Sequence, residues 1–100
     1  NIYPNEIENY ANNYPGIKNS FVMGINDKLT SKKIIIIYEG KENIEIHKLN
    51  KFLAKKISNF KLPKQIFHIK KFNLDEIPKA PNGKLLRKKF TQILSNKNFS

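Results

Sequence analysis

The chain has 100 residues, of which 39% are hydrophobic, and it contains no cysteine. This length suits one domain with one modest core, and the composition excludes a disordered chain, a disulfide framework and a zinc–thiolate site. No apolar run approaches the roughly 20 residues that a membrane-spanning helix needs.

The first half of the chain predicts one helix and two strands. Pro4 at a first helical position and apolar residues at helical spacing favour a helix over residues 4–14, which a Pro-Gly pair ends. Residues 17–25 are a strand candidate. Residues 34–38 comprise four isoleucines and a tyrosine without polar alternation, which is typical of a central strand buried on both faces.

The second half predicts two helices and a strand near a sheet edge. Residues 46–60 place six apolar side chains on one stripe of an amphipathic helix, and lysines lie off the stripe. The stripe consists of Ile46, Leu49, Phe52, Leu53, Ile57 and Phe60. Residues 66–72 alternate as in a strand, and residues 85–94 predict the last helix. The order predicts an α+β fold, a small mixed sheet of about three strands flanked by helices.

The net charge of +11 is confined to the second half of the chain. Residues 1–50 contain six lysines and six acidic residues, whereas residues 51–100 contain 13 basic residues and two acidic ones. The second half is therefore expected to meet nucleic acid, membrane headgroups, a nucleotide phosphate or an acidic protein surface. Charge alone does not choose among these four partners.

The loop of residues 78–84 (PKAPNGK) is the segment that most suggests chemistry. Two prolines stiffen it, and the Asn82-Gly83 pair allows a tight reversal that presents Lys84 just before the last helix. A rigid loop with an ammonium at its tip suits contact with an anion. It is not a P-loop, because Pro78 replaces the first glycine and a leucine stands where Ser or Thr would bind magnesium. On spacing alone, an ordinary turn with a solvated lysine is the more frequent explanation.

The lysines beside the apolar stripe could contact nucleic acid or an anionic membrane, but a solvated helix face explains them more simply. They are Lys48, Lys51, Lys55 and Lys56. His47 and His68 lack carboxylates spaced for a metal site or a proton relay, so surface or structural roles are expected.

Glu6 and Glu8 lie two residues apart on the first predicted helix, so they do not face each other as a catalytic pair would. Interaction with the helix dipole is the better explanation for both. The tyrosines are expected in the core or at its edge: Tyr3, Tyr10, Tyr14 and Tyr38.

Four segments together resemble the C-terminal domain of adenylate-forming enzymes, which include acyl-CoA synthetases, peptide-synthetase adenylation domains and luciferases. Residues 2–8 (IYPNEIE) resemble the end of the hinge motif, and residues 21–27 (FVMGIND) resemble the strand and turn that follow it. Residues 60–66 (FKLPKQI) resemble the helix exit before the last strand. Residues 78–87 fit the final motif, Pro-x-x-x-x-Gly-Lys-x-x-Arg. Each segment is weak alone, but the four occur in the family's order.

The resemblance implies a C-terminal lid domain at residues 1–95, followed by a polar tail at residues 96–100 that is expected to fray. Lys84 then matches the catalytic lysine of adenylation. The other implied site residues are Asn82 and Gly83 in the substrate and nucleotide loop, Pro78 and Arg87 as anchors of that loop, and Pro4, Glu6 and Glu8 in the hinge motif (residues 1–8).

The resemblance further implies an AMP-forming acyl-CoA synthetase, which uses ATP to activate a carboxylic acid and then passes the acyl group to CoA. The lid would rotate between the two steps. The resemblance also implies a large N-terminal domain in the same chain, which would bind ATP, Mg²⁺ and CoA. Asn1 is not a start methionine, so we expect the chain to be a processed product or a cut-out piece. The 100 residues alone should hold no metal or cofactor and be inactive, and the enzyme should be cytoplasmic. The alternatives are a peptide-synthetase adenylation domain and, from another class, a small basic nucleic-acid-binding module.

Overall fold

The computed structural model describes residues 3–26 and 32–99, and these form one three-stranded sheet and three α-helices. The helices are α1 (Pro4–Ala11), α2 (Ile46–Leu53) and α3 (Arg87–Leu94). The strands are β1 (Ile17–Ile25), β2 (Lys33–Gly40) and β3 (Gln65–His68). The predicted α+β class and the predicted mixed sheet are confirmed.

Strand β2 is the centre of the sheet. It pairs antiparallel with β1 and parallel with β3. A parallel pair needs a crossover connection, and α2 lies in the segment that makes it. Residues 34–39 are all buried. The predictions of a central strand buried on both faces and of an edge position for β3 are therefore confirmed.

The sheet has a separate core on each face, because side chains alternate along a strand. On one face Ile34, Ile36 and Tyr38 pack with α1 and α2. On the other face Ile35 and Ile37 pack with α3 and with the chain that precedes it. Each fully buried isoleucine contributes roughly 1.5–3 kcal/mol. The covered sheet is a stable base for the loops at its ends.

Helix α2 is shorter than predicted. It ends at Leu53, and a 3-10 turn follows at Asn59–Lys61. The chain must return to start β3, and residue 62 is extended (ψ 138°), as a residue before a proline prefers to be. Ile57 is still buried, but Phe60 is 78% exposed, so its predicted place on the apolar stripe is wrong.

The predicted third strand also divides in two. Strand β3 ends at His68, and a 3-10 helix continues over Ile69–Phe72. Residues three apart fall on the same side of a 3-10 helix, so both ends of this segment enter the second core.

Phe99, which lies in the predicted polar tail, packs partly buried against the second core. The Phe99 ring lies 5.7 Å from the Phe67 ring and 5.4 Å from the Phe72 ring, measured between centroids. Aromatic pairs at this spacing add to the area that they bury. Residue 100 of the predicted tail lies outside the described residues.

The predicted place of the tyrosines is right for three of the four. Tyr38 is buried, and Tyr10 and Tyr14 pack partly buried against the first core. Tyr3 is 62% exposed, so its predicted place in the core is wrong: it precedes the first turn of α1 and has no core beneath it.

Candidate functional site

Residues 78–86 form a short β-hairpin that carries Lys84, and we call it the lysine hairpin. Lys79 and Leu85 pair in an antiparallel bridge. The Ala80 N–H donates to the Lys84 carbonyl at 2.8 Å. This pairing explains why α3 begins at Arg87 and not at residue 85 as predicted, because Leu85 still belongs to the hairpin.

The tip of the hairpin is a tight turn. The Gly83 N–H donates to the Ala80 carbonyl at 2.8 Å, and Pro81 occupies the second position. Gly83 alone of the tip residues has a positive φ, at 87°, which fits a type I turn followed by a left-handed residue. The Asn82 Oδ1 accepts from the Lys84 N–H at 3.0 Å. Both predicted loop residues therefore hold the backbone of Lys84.

The Lys84 side chain is exposed, and no other residue within ranges 3–26 and 32–99 pairs with its ammonium. The backbone on either side is ordered by hydrogen bonds. An ammonium of this kind can meet an incoming anion without first breaking an ion pair.

Arg87 joins the base of the hairpin to the rest of the domain. Its Nη2 lies 2.7 Å from the Glu8 Oε1, and its Nη1 lies 2.9 Å from the Glu8 Oε2. The Nη2 also donates to the Asn5 Oδ1 at 2.7 Å, and the guanidinium lies over the Phe21 ring. A bidentate Arg–carboxylate pair is both stronger and more directional than a single charged hydrogen bond. Pro78 contributes at the same base, where its carbonyl accepts from the N–H of residue 86 at 2.9 Å.

Glu8 connects three elements of the fold, which the sequence pattern did not indicate. It is 6% exposed, and its Oε2 also accepts from the Val22 N–H at 2.7 Å, so it links α1, β1 and α3. The explanation of Glu8 by the helix dipole alone is therefore wrong.

Glu6 does not join Glu8 in these contacts, and its carboxylate lies 3.5 Å from the Lys61 ammonium. Pro4 is the first residue of α1, while residues 1 and 2 of the predicted hinge lie outside the described residues.

The sequence reasoning missed Glu39, which holds the other strand of the hairpin. Glu39 is 7% exposed and accepts hydrogen bonds from the Ile77 N–H, from the Lys79 Nζ at 2.9 Å and from the Asn19 Nδ2 at 3.3 Å. Burial by itself raises the pKa of Glu39, but these hydrogen bonds and the charge of Lys79 outweigh it and hold the pKa below its usual value. The only available signal was an acid at the end of an apolar strand.

The family model described as "AMP-binding enzyme C-terminal domain" matches residues 6–84. The chain belongs to this family. The resemblance to the C-terminal domain of adenylate-forming enzymes is thereby confirmed, and the matched region runs from the predicted hinge segment to Lys84.

Curated relatives of this AMP-binding C-terminal domain are parts of much longer proteins. A linear gramicidin synthase of Brevibacillus parabrevis is 39% identical over 85 residues, which are 83% of this chain and 2% of that protein. The 2-succinylbenzoate–CoA ligase of Lactococcus lactis subsp. lactis is 36% identical over 88 residues, which are 88% of this chain and 18% of the ligase. The chain therefore spans less than a fifth of either relative.

Solved structures of two synthetases share this fold. The o-succinylbenzoate CoA synthetase of Bacillus subtilis, bound with its product analogue, gives a TM-score of 0.72 at 25% identity, covering 91% of this chain and 18% of that one. The Mycobacterium tuberculosis fatty acyl CoA synthetase gives 0.71 at 25% identity, covering 92% and 18%.

The histidines of the domain make local contacts. The His47 Nε2 lies 3.2 Å from a Glu45 oxygen in an exposed pair, which agrees with the surface role expected for it. The His68 Nδ1 accepts from the Lys70 N–H, which leaves Nε2 to donate to the Gly40 carbonyl at 2.9 Å. No group of three or more His, Asp or Glu residues that could hold a metal ion is found in the described part of the chain.

The lysines that the sequence placed on the outer face of α2 and just after it are exposed: Lys48, Lys51, Lys55 and Lys56. The Lys48 ammonium lies 3.8 Å from a Glu45 oxygen, and both side chains are at least half exposed.

No helix among the described residues is long and apolar enough to cross a membrane.

Proposed function

We propose that this chain is the C-terminal lid, residues 1–95, of an AMP-forming acyl-CoA synthetase, and that Lys84 is its adenylation lysine. The observation that carries the proposal is a Lys84 ammonium with no partner among residues 3–26 and 32–99, on a hairpin held at both strands. The CoA ligase relatives, which align with most of the chain, support the same assignment.

The first half-reaction explains the need for a positioned cation. A carboxylate oxygen of the acid attacks the α-phosphorus of ATP, the bond to the bridging oxygen breaks, and pyrophosphate leaves. This brings two anions together. The Lys84 ammonium lowers that repulsion and stabilises the charge that develops on the phosphoryl oxygens. Lysine suits the task as a compact charge on a long arm.

In the second half-reaction the thiol of CoA attacks the acyl carbonyl, and AMP leaves. The lid would turn between the two steps about the part of the hinge motif that precedes α1, since Pro4, Glu6 and Glu8 lie in α1 and Glu8 is bound within the domain by Val22 and Arg87. The matched region is only 18% of the CoA ligase relative. We therefore assign ATP, Mg²⁺, CoA and the acid mainly to a large N-terminal domain of the same protein, and we expect the 100 residues alone to be inactive. We place the activity in the cytoplasm, where ATP and CoA are available.

The relation to a linear gramicidin synthase favours a second candidate, the adenylation domain of a peptide synthetase. The adenylation step and the role of Lys84 would be unchanged. The acceptor would be the phosphopantetheine thiol of a carrier domain in place of CoA. The relatives favour either ligase over a nucleic-acid-binding module.

The full-length protein tests this proposal. Isotope exchange between pyrophosphate and ATP should require a carboxylic acid drawn from a panel of aryl, short-chain and long-chain acids and amino acids. Addition of CoA should then yield AMP and a thioester in equal amounts. Thioester on a carrier domain but not on CoA would select the second candidate. Absence of acid-dependent exchange with every acid, or release of ADP, would contradict both.

A further inference from the structure

Glu39 occupies a position that the central strand makes rigid. It lies near the end of β2, opposite Asn19 of β1, and its carboxylate accepts a hydrogen bond from the Asn19 side chain. The next residue, Gly40, has a φ of 138°, and a methyl group there would lie 2.0 Å from the Gly16 carbonyl oxygen. The backbone of Gly40 therefore packs closely against the chain at Gly16, next to its strand partner Ile17, and the Glu39 carboxylate is buried near the end of the sheet.

The Glu39 carboxylate binds Ile77, which directly precedes the lysine hairpin, and Lys79, which lies in its first strand. It accepts from the Ile77 N–H and from the Lys79 ammonium. The same ammonium also donates to the Ile77 carbonyl at 3.2 Å. Ile77 itself is fully buried in the second core. This side of the hairpin is thus attached to the sheet by a salt bridge, by a backbone hydrogen bond and by packing.

The position of Lys84 depends on that attachment, because its ammonium contacts no other described residue. Lys79 pairs with Leu85, the neighbour of Lys84, and the Ala80 N–H donates to the Lys84 carbonyl. A shift of the first strand of the hairpin would therefore shift the backbone of Lys84. The second strand is held separately, by the pairing of Arg87 with α1.

We infer that Glu39 is a positioning residue for adenylate formation, acting through Lys79 and the hairpin to set where the Lys84 ammonium stands. The inference rests on the proposed function of Lys84. Glu39 touches no substrate in this account. A displacement of about 1 Å at a reacting group can cost up to roughly 10²-fold in rate.

The test uses the full-length enzyme and separates the half-reactions. Glu39→Gln keeps an acceptor for the Ile77 N–H but removes the charge that holds Lys79. It should slow adenylate formation by about 10- to 10²-fold. Thioester formation from supplied acyl-adenylate should stay within about twofold. Lys79→Met should reproduce the effect. Glu42→Gln is the matched control, since Glu42 is an exposed acid that lies 3.8 Å from Lys70.

A double mutant separates positioning from general damage. If Glu39 acts only through Lys84, adding Glu39→Gln to Lys84→Ala should cause no further loss of adenylation. A further loss in that background, or equal losses in both half-reactions, would overturn the inference. So would a normal adenylation rate in Glu39→Gln and Lys79→Met while Lys84→Ala is impaired. Failure of the proposed function looks different, because adenylation would then survive Lys84→Ala.

A second readout needs no substrate. Amide hydrogen exchange, measured by mass spectrometry on the full-length protein, should be at least about tenfold faster across residues 77–86 in Glu39→Gln, since hairpin opening controls exchange of its bonded amides. Exchange in α2 should be unchanged. Unaltered exchange in the hairpin would contradict the attachment that the inference requires.

Discussion

The lysine hairpin and the outer face of α2 both present lysines to solvent, yet they differ in how those lysines are held. Around α2, Lys51, Lys55 and Lys56 are exposed, and the helix is held by the burial of Leu49 and Leu53 in the first core. Lys84 is also exposed, but both strands of its hairpin are anchored, one to the sheet by Glu39 and the other to α1 by Arg87. Positive charge is shared by both surfaces, so what sets Lys84 apart is a hairpin anchored through two buried carboxylates, Glu39 and Glu8.

The largest effect is expected at the hairpin itself. In the full-length enzyme, Lys84→Ala should reduce the rate of adenylate formation by about 10²- to 10³-fold, because it removes a charge aimed at the transition state. Thioester formation from supplied adenylate should be largely spared. Rapid-quench measurement of each half-reaction checks this, with Lys88→Ala, an exposed lysine of α3, as control. Equal loss in both half-reactions would remove the role given to Lys84.

The second effect concerns the pair that ties down the return strand. Arg87→Met should leave the buried Glu8 carboxylate without its cation and lower the free energy of unfolding by about 3 kcal/mol. Urea denaturation of the 100-residue chain measures this. Glu6→Gln, which loses only the partly exposed contact with Lys61, should cost less than about 1 kcal/mol. Similar costs for the two variants would show that the Arg87 pair adds little.

The third effect is a dependence of stability on pH. The folded-state pKa of Glu39 is lowered, so the folded domain binds fewer protons there than the unfolded chain. Its stabilising contribution is complete above the usual pKa of 4.5 and is lost as the pH falls through the lower folded-state value. Glu39→Gln should therefore weaken the fall in stability below about pH 4.5. Parallel acid-denaturation curves for the two proteins would contradict this.

The smallest effect is expected at the second surface. Replacing Lys51, Lys55 and Lys56 together by glutamine should change the adenylation rate by less than about twofold and the free energy of unfolding by less than about 0.5 kcal/mol. The same rapid-quench and urea measurements apply. A loss approaching that of Lys84→Ala would mean that the charge of the region matters more than the position of one lysine.

The elements that local patterns encode were predictable. Strand β2 was placed correctly because five strand formers without polar alternation leave no solvent-facing side. The tight turn at Asn82-Gly83 was placed correctly because proline and an Asn-Gly pair have strong local preferences, whereas the pairing of Lys79 with Leu85 on either side of it was not predicted. The end of α2 was not placed correctly. The apolar spacing continues to Phe60, but the helix already ends at Leu53 because the chain must return to the sheet.

The anchors of the site could not be predicted in the same way. Glu39 and Ile77 are 38 residues apart in the chain, and Glu8 and Arg87 are 79 apart. Periodicity carries no information on which distant side chains meet. The sheet brings them together, because its two faces and its strand ends decide which loops become neighbours.

The claim that position and not charge makes Lys84 effective is tested most directly by Lys84→Arg in the full-length enzyme. Arginine keeps the positive charge but replaces a compact ammonium by a planar, longer group. Single-turnover adenylation by this variant should be at least about tenfold slower than wild type, with thioester formation from supplied adenylate unchanged. A rate within about twofold of wild type would show that any cation at the tip of the hairpin is sufficient.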